Sequence, residues 1–412
     1  MKRTVLMIAL GFSLIVLLLF AGSRVSKASR STLLGVGASA DAGEDADGED
    51  APPRLSPGSS PQFSLSDYYS DNGALDDAVE EVISSLDERG LISQMVMVAC
   101  GGGAKGFGEV EQILRNRLAA GVLFMGQTRE SVRMEAEALA ASSLHPLFAV
   151  DGEPSLIDRA IMGMERYPMA EEISDEETCR EVADSITQNL QELGIQMNFA
   201  PVCDFDLTSP VIGSRAFGHD ASRVSLLSET FVSATQSRDV AATAKHFPGH
   251  GAANGDTHRM LALVRGKPPE IPVFARMVEA GVVSIMVGHM EVAGPGLYNS
   301  HGKPASLSRT IVTDLLREEM RFGGIIVSDA LNMHAVDGSP FPSMEAVEAG
   351  CDLILWPRDE ERFMREMMRR VGEDDAFRRR VLESVRRLIR LKVCLGLMNT
   401  LDNPSGVDDI YL

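Results

Sequence analysis

Aromatic side chains are scarce in this chain: its 412 residues include one Trp, five Tyr and 16 Phe. Few flat rings are available as stacking platforms, which favours short, soluble ligands over a long polymer. Cysteine is nearly as thin. The five residues Cys100, Cys179, Cys203, Cys351 and Cys394 are odd in number and lack metal-ligand spacing. They encode no disulfide framework and are expected to be small buried hydrophobes. Positive charge is also in deficit, with 39 Lys and Arg against 59 Asp and Glu and a formal charge of −20. Nucleic acid is excluded as a partner, because its phosphates would be repelled. Part of the charge is local, since Asp41 to Asp50 alone holds six carboxylates.

Long hydrophobic runs are missing except at the start. Lys2 and Arg3 precede an apolar run from Val5 to Ala21, broken only by Gly11 and Ser13. Residues 1–28 are therefore expected to be a signal peptide or membrane anchor, which implies export or tethering through residues 5–21. Residues 29–65 are rich in Ser, Gly, Ala, Asp and Pro and should be a disordered acidic linker, unable to bury enough surface to offset ordering. A single domain is expected over 66–400, with a tail at 401–412. Hydrophobic residues make up 44% of the chain, enough for a sizeable core.

From Asp77 onward, helical stretches alternate with short apolar runs. The runs are Met95–Ala99, Gly121–Met125, Pro146–Val150, Gln196–Ala200, Ala242–Lys245, Val283–Val287, Gly324–Val327 and Leu353–Leu355. Most are too short for helices and have the continuous apolar character of strands buried on both faces. Helices are expected at Asp77–Arg89, Val110–Ala119, Asp175–Leu193 and Val312–Glu319. Eight such repeats predict an α/β fold, a (β/α)₈ barrel, with a doubly wound open sheet as the alternative. A barrel places its chemistry just after the strands. Asp151 follows the third run, Asp204 and Arg215 the fourth, His289 the sixth and Asp329 the seventh, while Lys245 and His246 end the fifth. For Asp204 alone, a hydrogen-bonded loop residue is the simpler account.

The densest chemistry lies in Lys245-His246-Phe247-Pro248-Gly249-His250-Gly251, followed by Asp256-Thr257-His258. Pro248 and the glycines exclude a helix, so the stretch reads as a strand end opening into a loop. An aspartate bonded to one imidazole nitrogen would fix the tautomer and leave the other nitrogen free for proton transfer. His250 is expected to brace the loop. Asp329 ends another apolar strand. A carboxylate nucleophile with a His/Asp proton donor on a second loop suits two-step displacement at an acetal carbon.

These segments resemble the family 3 glycoside hydrolases, in particular their single-domain β-N-acetylglucosaminidase branch. The likeness runs from about Leu91 to Leu397. It is carried by Asn198–Asp204, Val211–Gly218, Lys245–Gly251 with Asp256–His258, Pro304–Ser308, Ser328–Met333, Ala349–Leu353 and Leu391–Leu397. The resemblance implies that Asp329 is the nucleophile, His258 the general acid/base and Asp256 its orienting partner. It also implies that Asp151, Arg159, Arg215, Lys245 and His246 hold the sugar, with His289 at a further active-site position. No metal or cofactor is expected, and the partner is a small GlcNAc-containing glycan. Neutral histidine does not repel an anionic acceptor, so phosphate in place of water is a further expectation.

The chain departs from the family after Asp151. Gln-Glu-Gly-Gly-Arg-Val-x-Arg is usual there, whereas this sequence has Gly152-Glu153-Pro154-Ser155-Leu156-Ile157-Asp158-Arg159. The proline stiffens the loop and one arginine is lost, which puts the rim of the pocket in question. Ala252 and Ala330 stand where many members have Asp. The expected activity is a retaining exo-β-N-acetylglucosaminidase acting on peptidoglycan or chitin fragments. A broad β-glycosidase, or an inert envelope-binding protein on the same barrel, are the alternatives.

Overall fold

The computed structural model describes residues 62–205, 208–256 and 259–398. The expected leader, nearly all of the linker, the C-terminal tail and both Thr257 and His258 lie outside the described residues. Among the described residues no helix is long and apolar enough to cross a membrane.

All eight apolar runs become strands: β1 Val96–Cys100, β2 Gly121–Phe124, β3 Leu147–Val150, β4 Met197–Asn198, β5 Ala241–Phe247, β6 Ser284–Val287, β7 Ile325–Ser328 and β8 Ile354–Leu355. They pair in parallel and in chain order, with β8 returning to β1 through Val96 and Ile354. A single bridge between Val327 and Leu353 joins β7 to β8, so the ring is nearly continuous. The open-sheet alternative is thereby set aside. Every residue of these eight strands is buried, as expected for strands covered on both faces.

Each strand is followed by a helix that returns to the base. The helices are Phe107–Arg115, Arg129–Ala140, Glu176–Glu192, Ala221–Gln236, Ile271–Glu279, Thr310–Glu319, Pro342–Ala349, and the pair Glu360–Glu373 and Asp375–Cys394. Short polar side chains set their starts: Asp175 accepts from the Thr178 amide, Asp220 from Ser222 and Arg223, and Asp359 from Arg362. One expectation shifts. The helix anticipated over Asp77–Arg89 is two helices, Gly73–Ser85 and Glu88–Ser93. Asp87 breaks the run by capping the second, accepting the Gly90 amide at 2.8 Å. Helix Thr310–Glu319 has wider, π-type turns. The core reaches back to Phe63 and Leu65, both buried.

Candidate active site

The loops after the strands enclose a cavity of about 560 Å³, lined by Asp151, Arg159, Arg215, Lys245, His246, Asp256 and Asp329 among others. Seven of the nine residues singled out in the sequence thus meet in one place. The other two are His289, which lies behind the wall, and His258, which is outside the described residues.

On one side the loop after β3 delivers Asp151 and Glu153. Asn198, at the end of β4, pins this loop: its side chain accepts the Gly152 amide at 2.8 Å and returns a bond to the Gly152 carbonyl at 3.3 Å. Glu153 is fully buried and accepts both Nε and a terminal nitrogen of Arg215, at 2.8 and 2.7 Å. Lys245 completes the cluster, its Nζ 2.6 Å from Glu153 Oε1 and 2.7 Å from Asp151 Oδ1. Burial opposes the charged form of Glu153, yet Arg215 and Lys245 outweigh it and hold the carboxyl far below its ordinary range. Burial likewise works against the Lys245 ammonium, and Asp151 with Glu153 carries it above its usual value. The result is a fixed ionic floor, with Asp151 the member most open to the cavity.

The altered loop itself is well satisfied. Ser155 Oγ donates to the Ser214 carbonyl at 3.0 Å and accepts the Ala170 amide at 2.9 Å. It therefore ties three loops together, and Leu156 takes a place on the cavity wall where the family usually has arginine. Arg159 stands exposed at the rim, its guanidinium without a hydrogen bond or ion pair among the described residues.

β5 supplies Lys245 and His246 together. Neighbours on a regular strand face opposite ways, but the pairing with β6 shifts register between Lys245 and Phe247, so both reach the cavity. His246 Nδ1 meets Asp204 Oδ2 at 2.6 Å. A carboxylate accepts, so Nδ1 carries the proton and Nε2 is the nitrogen left for a ligand. Asp204 is wholly buried and also accepts the His246 and His250 amides, at 3.1 and 2.7 Å. Its burial is offset by His246 and His250, which hold its carboxyl below the usual range. It is the hydrogen-bonded loop residue expected, and it also aims a site histidine. His250 bonds Ser209 Oγ through Nδ1 at 2.9 Å, in keeping with a bracing role, and its ring also reaches the cavity wall.

Asp329 follows β7 and lines the opposite side. Its Oδ1 accepts the amide of Ala330 at 2.8 Å. Burial disfavours its charge, but His289, His246, the Ala330 amide and Lys245 together hold the carboxyl below the ordinary range. An ionised carboxylate facing a cavity is a competent nucleophile. His289 serves it from behind. Fully buried, it places Nε2 3.1 Å from the Ala330 carbonyl and Nδ1 2.7 Å from Ser306 Oγ. The carbonyl only accepts, so Nε2 donates, and burial keeps the imidazole below its usual value. His289 does not line the cavity; it packs against the loop that carries Asp329 and Ala330.

Asp256 also lines the cavity, 3.5 Å from the Arg259 guanidinium. Two further residues belong to the site although the sequence did not single them out for it. Glu153 was visible as an acid beside the expected Asp151. Trp356 comes directly after the eighth apolar run, where a barrel places its functional groups, and it lines the cavity with a left-handed backbone, φ 49°. Among the described residues no group of three or more His, Cys, Asp or Glu is placed to hold a metal ion.

Residues 86–391, well over half of the chain, match the Glycosyl hydrolase family 3 N terminal domain. A beta-hexosaminidase of Pseudomonas aeruginosa is 34% identical over 267 residues, covering 60% of this chain and 77% of its own. A Cellulomonas fimi protein named beta-N-acetylglucosaminidase/beta-glucosidase is 32% identical over 244 residues, 55% of this chain and 43% of its own. Among solved structures, a glycoside hydrolase family 3 beta-N-acetylglucosaminidase from Paenibacillus sp. str. FPU-7 superposes with a TM-score of 0.69 at 29% identity. That match covers 76% of this chain and 63% of the Paenibacillus chain, less than two thirds of it. By residues, architecture and site, the chain belongs to glycosyl hydrolase family 3.

Proposed function

We propose that the protein is a retaining exo-β-N-acetylglucosaminidase that removes terminal β-linked GlcNAc from short glycans, such as peptidoglycan or chitin fragments. The observation that carries the proposal is Asp329, held ionised on the cavity wall opposite the Asp151–Glu153–Arg215–Lys245 network. The Asp329 carboxylate attacks the anomeric carbon while the bond to the leaving oxygen breaks, and His258 gives that oxygen a proton. In the second half, His258 takes a proton from water, which displaces Asp329 and restores the free carboxylate. Asp256 orients His258. Asp151, Arg159, Arg215, Lys245 and His246 hold the sugar, the fork of Arg215 reaching it through the Glu153 network.

The apolar run of residues 5–21 supports an exported or membrane-tethered enzyme, and activity confined to a cytosolic fraction would defeat that part. Release of chromophore from a β-N-acetylglucosaminide and from the matching β-glucoside tests the rest. Fast, GlcNAc-selective release is expected. Equal rates would favour the broad β-glycosidase, and none from folded protein the inert binder. The neutral imidazole also supports turnover with phosphate as acceptor; absence of sugar 1-phosphate in excess phosphate would exclude it.

A further inference from the structure

One buried acid close to the site has no part in the chemistry above. Glu270 is the residue before helix Ile271–Glu279, fully buried and not on the cavity wall. Its Oε1 accepts the Gly251 amide at 2.9 Å, while Oε2 is buried with no hydrogen-bond partner among the described residues. The loop after β5 is shaped around this carboxyl. A Cβ on Gly249 would lie 2.1 Å from Oε2, and one on Gly251 would lie 2.7 Å from Oε1 and 2.2 Å from the Phe205 carbonyl. Neither position has room for a side chain. Gly249 also has φ 138°, a conformation that L side chains rarely adopt.

The contact sits beneath a junction. The Gly251 carbonyl accepts the Thr208 and Ser209 amides, both at 3.0 Å, and Ser209 Oγ meets His250 Nδ1 at 2.9 Å. The loop after β4 and the loop after β5 are thus joined at Gly251, directly over Glu270. From there the chain runs on to Asp256 at the cavity.

We propose that Glu270 is a positioning residue for proton transfer: its carboxyl, gripped by Gly249 and Gly251, fixes the backbone between His246 and Asp256 and so holds Asp256 at the cavity. The proposal rests on the retaining reading of the site given above.

A pH dependence accompanies it. Burial first, and then the Asp204 carboxylate, raise Glu270 to about 7. Asp204 is the charged neighbour on the loop after β4, itself bonded by His246 and by the His250 amide from the loop after β5. On the acid's own helix, Arg276 is engaged by Glu229 and Glu279. The folded-state value lies above that of a free carboxyl, so the stability that Glu270 contributes is complete at low pH and is lost as pH rises through about 7, with burial and Asp204 outweighing the Gly251 amide, which favours the ionised form. Above that point a second buried anion stands beside Asp204.

The test uses the leaving group. Cleavage of N,N′-diacetylchitobiose needs a proton donor, whereas a 2,4-dinitrophenyl β-N-acetylglucosaminide departs without one, and kcat/KM reports that first bond cleavage. Glu270→Ala in the full chain is expected to lower kcat/KM about a hundredfold on chitobiose and less than about threefold on the dinitrophenyl glycoside. Glu270→Gln, which keeps the shape and the acceptor but cannot ionise, is expected to move the alkaline limb of the chitobiose profile upward. Equal losses on both substrates, or no loss on either, would overturn the proposal. Should the alanine variant not fold, a glutamine profile superimposable on that of the unmodified protein would overturn it instead. Failure of the unmodified protein on both substrates is a different result, which removes the retaining reading and this proposal with it.

Discussion

At the base of the barrel Asp352 is enclosed by Arg317, Arg380 and Arg387, while at the mouth Asp329 faces an open cavity. Both aspartates adjoin a strand, and both are held below the ordinary carboxylate range. Their surroundings differ in kind. Asp352, just before β8, receives Arg317 at 2.5 Å, Ser384 Oγ at 2.5 Å, the Ile326 amide at 2.9 Å and Arg387 at 3.3 Å. Its bonding capacity is filled by protein, which is what a structural ion cluster requires. Asp329, just after β7, takes one side-chain hydrogen bond among the described residues, from the neighbouring Ala330 amide, and is held below the ordinary range against burial chiefly by His289 and His246. A charge supported at a distance remains free to react. The barrel therefore buries ions at both ends, closing one set and leaving the other unfinished.

Exchanging the two aspartates' fates would break that distinction. Asp329→Asn should abolish turnover, by about 10⁴-fold or more in kcat, with a melting temperature close to that of the unmodified protein. Asp352→Ala should do the reverse. It leaves the arginines uncompensated at a cost of about 3–5 kcal/mol by denaturant titration, while turnover per folded molecule stays unchanged. Arg215→Lys sharpens the comparison, because that residue belongs to both kinds of network. Replacing its fork on Glu153 with a single point donor is expected to lower kcat/KM by about tenfold, mostly through KM, with a modest loss of stability. The smallest effect is in acid. Asp352 is depressed in the folded protein, so the stability it gives is present above the free value near about 4 and is lost as pH falls through the folded one. The acid limb of a stability–pH curve should be shallower in Asp352→Ala than in the unmodified protein.

The eight strands were legible because burial on both faces writes each as an unbroken apolar run, and polar residues then mark where it ends. The same rule located Asp151, Lys245, His246 and Asp329. The two accessory strand pairs, Gln127–Thr128 with Ile161–Met162 and Ala262–Arg265 with Met290–Ala293, are short or half exposed and carry no such signature. The split at Asp87 turns on one side-chain cap, which competes with an otherwise continuous helical pattern. His289 was expected at a further active-site position after β6, and its ring bonds Ser306 and the Ala330 carbonyl without lining the cavity. Strand order sets which loop a residue occupies, but the direction of its side chain is decided by partners more than a dozen positions away. Glu270 was invisible for the same reason, since its importance lies in the two glycines folded over it.

The scarcity of indole in this chain turns into an experimental convenience at Trp356. It is the sole tryptophan, and it lines the same cavity as Asp329 and Arg159. Intrinsic fluorescence excited at the indole therefore comes from one place, with no background from elsewhere in the fold. Titration of the Asp329→Asn variant with GlcNAc or chitobiose should shift that emission and saturate as a single site. The protein carries its own optical probe of occupancy, so binding can be followed separately from turnover without a label.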